Sequence, residues 1–287
     1  MSYLFCFGFG YSAQVLTHLL RGRGFRVAGT VRSLEYRKIP LRAEEELAAL
    51  FPFDRHHPLN PALFAGVSHV LVSIPPDAAG DPVADMHGAD LVQAAPVWVG
   101  YLSTTGVYGD TDGIWVDETA PINPSIGRSI ARAAAERTWL TLWARNGLPV
   151  HLFRLASIYG RGRSPVDALR SGRAHRVMKP GHVSSRIHVQ DLATALATSM
   201  VRPNPGAVYN ICDDEPAPPQ EVITYAAALL GWEPPPVLSW EEAQKVLPLG
   251  ALTFYACNRR VRNSYIKREL ELTLRYPTYR EGLLRCV

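Results

Sequence analysis

The sequence predicts an α/β fold, a doubly wound parallel sheet with a smaller mixed cap domain toward the C-terminus. Three observations carry this. Short apolar runs that read as strands alternate with helical segments of roughly ten to fifteen residues, the signature of βαβ units. A glycine turn of the form GxGxxA sits between the first strand and the first helix. From about Asp213 onward prolines crowd together ("EPAPP", "EPPPV") and the alternation stops.

Each element has its own reason. "YLFCF" is a continuous apolar run, as expected for a strand buried on both faces. After the glycine turn, Val15, Leu16, Leu19 and Leu20 form a helical stripe closed by Gly22 and Gly24. "FRVAGTV" is the second strand, "LAALFPF" the third, and "PALFAG" a short helical turn. "HVLVSI" is a buried strand that "PPD" ends, because proline continues neither a ladder nor a helix. A helix is expected over 84–94, a strand at "VWVGYLS", a helix from Ser129 to Arg145 and one strand over "VHLFRLASIY". The helix "VQDLATALATSMV", the strand "AVYNIC" and a helix near 219–231 follow. The expected nucleotide-binding domain is 1–160 with 187–213, and the cap is 161–186 with 214–287.

Composition narrows the function classes. The 287 residues are 47% hydrophobic and 20% charged with a net charge of +4, ordinary for a soluble globular chain. The arginines are scattered, and no basic block interleaves with aromatics, so no nucleic-acid partner is expected. Cys6, Cys212, Cys257 and Cys286 form no CxxC pair, which argues against a metal site and fits a reducing compartment. No run approaches the ~20 apolar residues of a membrane span. With no basic leader before "SYLFCFGFG", a cytoplasmic protein is expected.

Gly8, Gly10 and Ala13 are the GxGxxA residues. The first glycine permits the tight turn and the second lets backbone approach a pyrophosphate. The small third residue lets helix and strand pack closely, while the helix start, with Tyr11 and Ser12, offers N–H groups to phosphate. An acid after the second strand would select NAD by binding the ribose 2′-hydroxyl. Here the strand ends "GTVRS", with no acid between Arg26 and Leu34. Arg32, with Ser33, Arg37 and Lys38 nearby, suits a 2′-phosphate, so NADP(H) is favoured over NAD(H).

"YLSTTGVYGD", "FRLASIYGRGR", "SRIHVQDLATAL" and "VYNICDDEP" resemble, in order and spacing, segments of extended short-chain dehydrogenase/reductases, the Rossmann-like group that includes nucleotide-sugar epimerases and dehydratases. The closing "YPTYREGL" resembles an atypical branch. The resemblance implies that Asp54 meets the adenine amino group, that Ser73 to Pro76, including Pro75, runs along the cofactor ribose, and that Ser157 and Ile158 pack on the nicotinamide. It further implies that Thr104 polarises a substrate carbonyl and that Arg186 holds an anionic substrate group, with His188 structural. The family's YxxxK pair, an acid/base tyrosine and the lysine that lowers its pKa, falls on "IGRSI", placing Ile126 and Ile130 at the reactive positions.

Three substitutes for the pair are open: Tyr108 as proton donor, Arg128 and Arg132 as fixed charge, and the loop acids Asp110, Asp112, Asp117 and Glu118. The expected function is hydride transfer on a small carbonyl or sugar-like substrate, as an NADP(H)-dependent oxidoreductase or epimerase. The alternative is a non-catalytic NADP(H)-binding regulatory or sensor module. Ala131, Ala133, Ala134 and Ala135 would allow close helix packing, which admits a homodimer.

Overall fold

In the computed structural model, which describes residues 2–33 and 49–287, strand and helix alternate through the N-terminal half. In chain order this half holds β1 (Tyr3–Phe7), α1 (Tyr11–Arg21), β2 (Arg26–Val31), β3 (Ala49–Pro52), β4 (His69–Val72), α2 (Pro82–Ala94), β5 (Trp98–Thr104), β6 (Trp115–Val116) and α3 (Gly127–Asn146). The second half continues with β7 (Val150–Leu155), β8 (Ser157–Tyr159), α4 (Pro165–Arg170), β9 (Arg176–Met178), β10 (Arg186–His188), α5 (Val189–Val201) and β11 (Val208–Ile211). Then come α6 (Pro219–Leu230), β12 (Val237–Ser239), α7 (Trp240–Val246), α8 (Leu249–Leu252), β13 (Arg260–Val261), α9 (Ser264–Glu269) and α10 (Tyr279–Leu283).

Seven strands form one parallel sheet in the order β11-β7-β5-β4-β1-β2-β3. β1 pairs in parallel with both β2 and β4, with Cys6 opposite Gly29 on one side and Leu71 on the other. The chain therefore builds outward from β1 to β3 and then restarts at β4 on the far side of β1. In doubly wound sheets this reversal leaves a crevice at the carboxyl ends of the two strands, where ligands bind. β1 is buried along its whole length because both its neighbours and both its faces are covered.

The described residues form two compact units. Unit 1 is Met1–Thr104, Ile130–Arg154 and Ala193–Tyr209; unit 2 is Thr105–Ser129, Leu155–Leu192 and Asn210–Val287. Residues 105–129, assigned to the nucleotide-binding domain by sequence, thus group with the C-terminal residues. Unit 1 has a core of Phe5, Phe7, Phe53, Phe64, Leu91, Trp139 and Leu152, among others. His87 packs against the rings of Phe7, Phe53 and Phe64: Nε2 accepts the Leu59 N–H at 3.1 Å, so the ring proton sits on Nδ1, 2.8 Å from the Asp90 carboxylate.

Unit 2 packs Tyr159, Val166, Leu169, Val222, Ala226, Tyr279 and Leu283 into one cluster and Val177, Ala243, Leu247 and Tyr255 into another. Its strands form two-stranded parallel pairs, β8 with β10, β9 with β12 and β6 with β13. The single strand expected over "VHLFRLASIY" is two strands, broken at Ala156. The Ala156 N–H still bonds to Ile211 in β11, but the next N–H, of Ser157, bonds to the Ser185 carbonyl. The chain changes partner at that point, and a change of partner has no signature in apolar periodicity.

All four cysteines are free thiols; Cys6, Cys212 and Cys286 are buried and Cys257 is half-buried. Among the described residues no helix is long and apolar enough to cross a membrane, and no cluster of His, Cys, Asp or Glu could hold a metal ion.

Candidate functional site

The glycine turn after β1 is held from three directions within unit 1. Gly8 has φ +89°, its N–H donates to Thr30 Oγ1 at 2.8 Å, and its carbonyl accepts from Ser73 Oγ at 2.7 Å. The Phe9 N–H reaches the Thr30 carbonyl at 2.7 Å. A β-carbon on Gly8 would lie 2.7 Å from Ser73 Oγ, so this position excludes any side chain. At Gly10 an added β-carbon would meet nothing within 4 Å: the backbone there faces open space.

Gly10 also begins α1, which has no side-chain cap and no acid in its first turn. The helix start thus presents the Ser12 and Ala13 N–H groups and its positive dipole end to an anion. Ala13 is fully buried, while Tyr11 and Ser12 are partly exposed. These residues fit the diphosphate of a dinucleotide.

Arg32 follows β2, is exposed, and makes no hydrogen bond or ion pair among the described residues; Ser33 beside it is half-buried. Arg37 and Lys38 lie outside the described residues. Asp54 is exposed, and its Oδ1 accepts the N–H groups of His56 and His57 and faces His57 Nδ1 at 2.9 Å. Those bonds, led by the His56 amide, hold its carboxyl below the usual range. One oxygen of Asp54 therefore closes its own turn. Ser73 is half-buried and Pro75 exposed at the end of β4.

Unit 1 also holds two polar networks against α3. In the first, the Glu136 carboxylate takes Ser103 Oγ at 2.5 Å and the Arg154 guanidinium at 2.8 Å, all three residues being buried. This pins α3 to β5 beside Thr104, the half-buried last residue of that strand. No motif singles out this triad. The signal is Arg154 itself, an arginine inside a run of apolar strand residues, which needs a buried acid partner. In the second, Arg132 Nη1 donates to the Ile74 carbonyl at 3.2 Å and to Tyr101 Oη at 2.9 Å. Ile130 is 52% exposed.

The other expected site residues belong to unit 2. Tyr108 is buried and its hydroxyl donates to Asn210 Oδ1 at 2.8 Å; Asn210 in turn donates its N–H to Glu118 Oε1 and its Nδ2 to the Arg262 carbonyl. Asp110 accepts the Asn258 N–H and Asp117 the Thr119 N–H and hydroxyl, while Asp112 sits in the same turn with φ 52°. These acids serve local structure. Ser157 is exposed on β8 and Ile158 half-buried.

Arg186 is buried, and its guanidinium donates to the Glu215 and Ala217 carbonyls and to Ser184 Oγ. Burial lowers its pKa, opposed chiefly by Asp213, and burial pushes Asp213 up to about 8. His188 takes the Gln190 N–H on Nδ1 at 3.3 Å and packs 4.1 Å from the Tyr276 ring; burial lowers it to about 4. It is neutral at pH 7 in the middle of a packed cluster.

Residues 8–212 match the model of the NAD dependent epimerase/dehydratase family. A functionally unknown conserved protein from Silicibacter pomeroyi DSS is similar in structure, with a TM-score of 0.89 and 47% identity over 99% of this chain and 97% of that one. Protein YeeZ of Escherichia coli K12 is 35% identical over 140 residues, 47% of each chain, so the chain spans about half the length of that curated relative. The dTDP-glucose 4,6-dehydratase of Bacillus anthracis, solved in complex with NAD, shares the fold at a TM-score of 0.74 and 18% identity, covering 100% of this chain and 95% of that one. This chain belongs to the NAD-dependent epimerase/dehydratase family.

Proposed function

We propose that the chain binds NADP(H) in unit 1 and acts as an oxidoreductase or epimerase-like enzyme on a small carbonyl or sugar-like substrate. The observation that carries this is the Gly8–Gly10 turn, buttressed by Thr30 and Ser73 and opening onto an uncapped helix start. A bound nicotinamide supplies or accepts hydride; the residues of the chain fix where it lies. Gly8 and Gly10 let the backbone meet the diphosphate, and Arg32, with no partner among the described residues, is the donor for a 2′-phosphate. Thr104 is assigned to the substrate carbonyl and Tyr108 to proton donation. YeeZ and the Silicibacter protein carry no activity in their names, so the sugar-like substrate rests on the dehydratase likeness and the family model.

Two observations favour a second reading, a non-catalytic NADP(H)-binding module. The Tyr108 hydroxyl is buried and already donates to Asn210, and isoleucines stand at the family's tyrosine and lysine positions. Titration of NADPH and NADH into wild type and Arg32→Ala tests the cofactor choice. Arg32→Ala should weaken NADPH about tenfold, the value of one charge-assisted hydrogen bond, and leave NADH unchanged. Equal affinities in the wild type would refute the NADP(H) preference. NADPH oxidation screened against aldehydes, ketones and keto-sugars, with Thr104→Ala and Tyr108→Phe, separates the two readings. Turnover lost in these variants supports the enzyme, and no turnover with any substrate supports the module.

A further inference from the structure

Two positions along an α-helix is a rotation of about 200°, so residue 130 of α3 faces nearly opposite to residue 132. The family spacing puts Ile130 where a lysine would stand, yet Ile130 is 52% exposed. The inward residue is Arg132. Its Nη1 bridges the Ile74 carbonyl at 3.2 Å and Tyr101 Oη at 2.9 Å, and its guanidinium carbon lies 5.5 Å from the Tyr101 ring centre. Ile74 directly follows Ser73, whose hydroxyl holds the Gly8 carbonyl at 2.7 Å. The cation is therefore coupled through one residue to the phosphate turn, just past the carboxyl end of β4.

Beyond Nη1 the guanidinium makes no hydrogen bond among the described residues, and its charge acts on the buried Asp81 carboxyl and the Tyr101 phenol. Among the described residues Arg132 Nε and Nη2 have no hydrogen-bond partner, and Arg132 makes no ion pair. The nearby acid Asp81 spends Oδ1 on the Val83 and Ala84 amides at the start of α2. A half-buried cation with two donor nitrogens left over, beside a turn built for a nucleotide, is poorly explained as a structural clamp, since Nη1 alone makes the clamp.

We infer that Arg132 is a cofactor-positioning residue: Nη1 fixes the Ser73–Ile74 turn, and its remaining N–H groups hydrogen-bond sugar hydroxyl oxygens of the dinucleotide. The inference rests on the dinucleotide reading of unit 1. It takes Arg132, read from the sequence with Arg128 as a fixed charge in place of the lysine, and gives its N–H groups a ligand.

Calorimetric titration of NADPH and NADP+ into wild type, Arg132→Met, Arg132→Lys and Ile130→Met tests it. Arg132→Met should weaken binding at least tenfold and Arg132→Lys less, because an ammonium keeps the charge but not the fork. Ile130→Met should stay within twofold of wild type. If Arg132→Met does not fold, judged by circular dichroism, Tyr101→Phe replaces it; loss of that phenol should loosen the guanidinium and weaken binding a few-fold. Wild-type affinity in folded Arg132→Met, or in Tyr101→Phe where that variant stands in, overturns the inference alone. A wild type that binds neither nucleotide overturns the dinucleotide reading and this inference with it.

Discussion

A β-carbon built on Gly29 would lie 2.8 Å from the Cys6 carbonyl oxygen and 3.0 Å from the Phe9 ring. Gly29 sits opposite Cys6 in the β1–β2 ladder, and the next residue, Thr30, carries both bonds that hold Gly8 and Phe9. A side chain at 29 would push on the turn it helps to fix. Gly29→Ala should cost about 1–3 kcal/mol, as overpacking does, measured by urea unfolding. An unchanged midpoint would mean that the Phe9 ring moves aside freely. At this scale the GxGxxA residues were legible because their spacing encodes a turn, whereas Gly29 was not, because its constraint comes from a neighbouring strand. The hydrogen bonds of Tyr108 and Arg186 were equally hidden, since their partners, Asn210 and the 215 and 217 carbonyls, lie far away in the chain.

Helix α3 shows the same limit one level up. Its existence was plain from an Ala/Arg/Glu/Leu run, and the observed span Gly127–Asn146 differs by two residues at the start and one at the end. Its rotation was not plain. Alanines at 131, 133, 134 and 135 make the run nearly featureless, so the apolar pattern does not fix which face turns inward. What sets the rotation is Glu136, drawn to Arg154 of β7 and Ser103 of β5 in a buried network. Glu136→Ala would leave the Arg154 guanidinium buried without its partner. The expected loss is about 3–5 kcal/mol in urea unfolding, well beyond that of an exposed helix position. A loss under about 1 kcal/mol would show that the pair does not hold the helix.

Across the whole molecule, burial sets two opposed pH dependences. His151, His182 and His188 are lowered to about 4 by desolvation, so in the fold they stay neutral where the unfolded chain would take up protons. Their contribution is present above about pH 6.5 and is lost as pH falls through 4. Asp213, raised to about 8 by burial, acts in the other direction: its contribution is full below about pH 4 and fades as pH rises through 8. Asp213→Asn, which keeps an oxygen for the Glu215 amide, should gain on wild type by at least about 1 kcal/mol between pH 5 and pH 8. Urea melts of both proteins at pH 5, 6.5 and 8 check this, and a constant difference would show that Asp213 is ionised throughout. The fold class was readable from strand–helix alternation. These buried charges were not, because no local pattern reports depth. Depth also divides the thiols: three are sealed in packed interiors, and only Cys257, in unit 2, is partly open to solvent. A fluorophore carried by a thiol-reactive linker has one native address on this molecule, so unit 2 can be watched by a single reporter while NADPH is added.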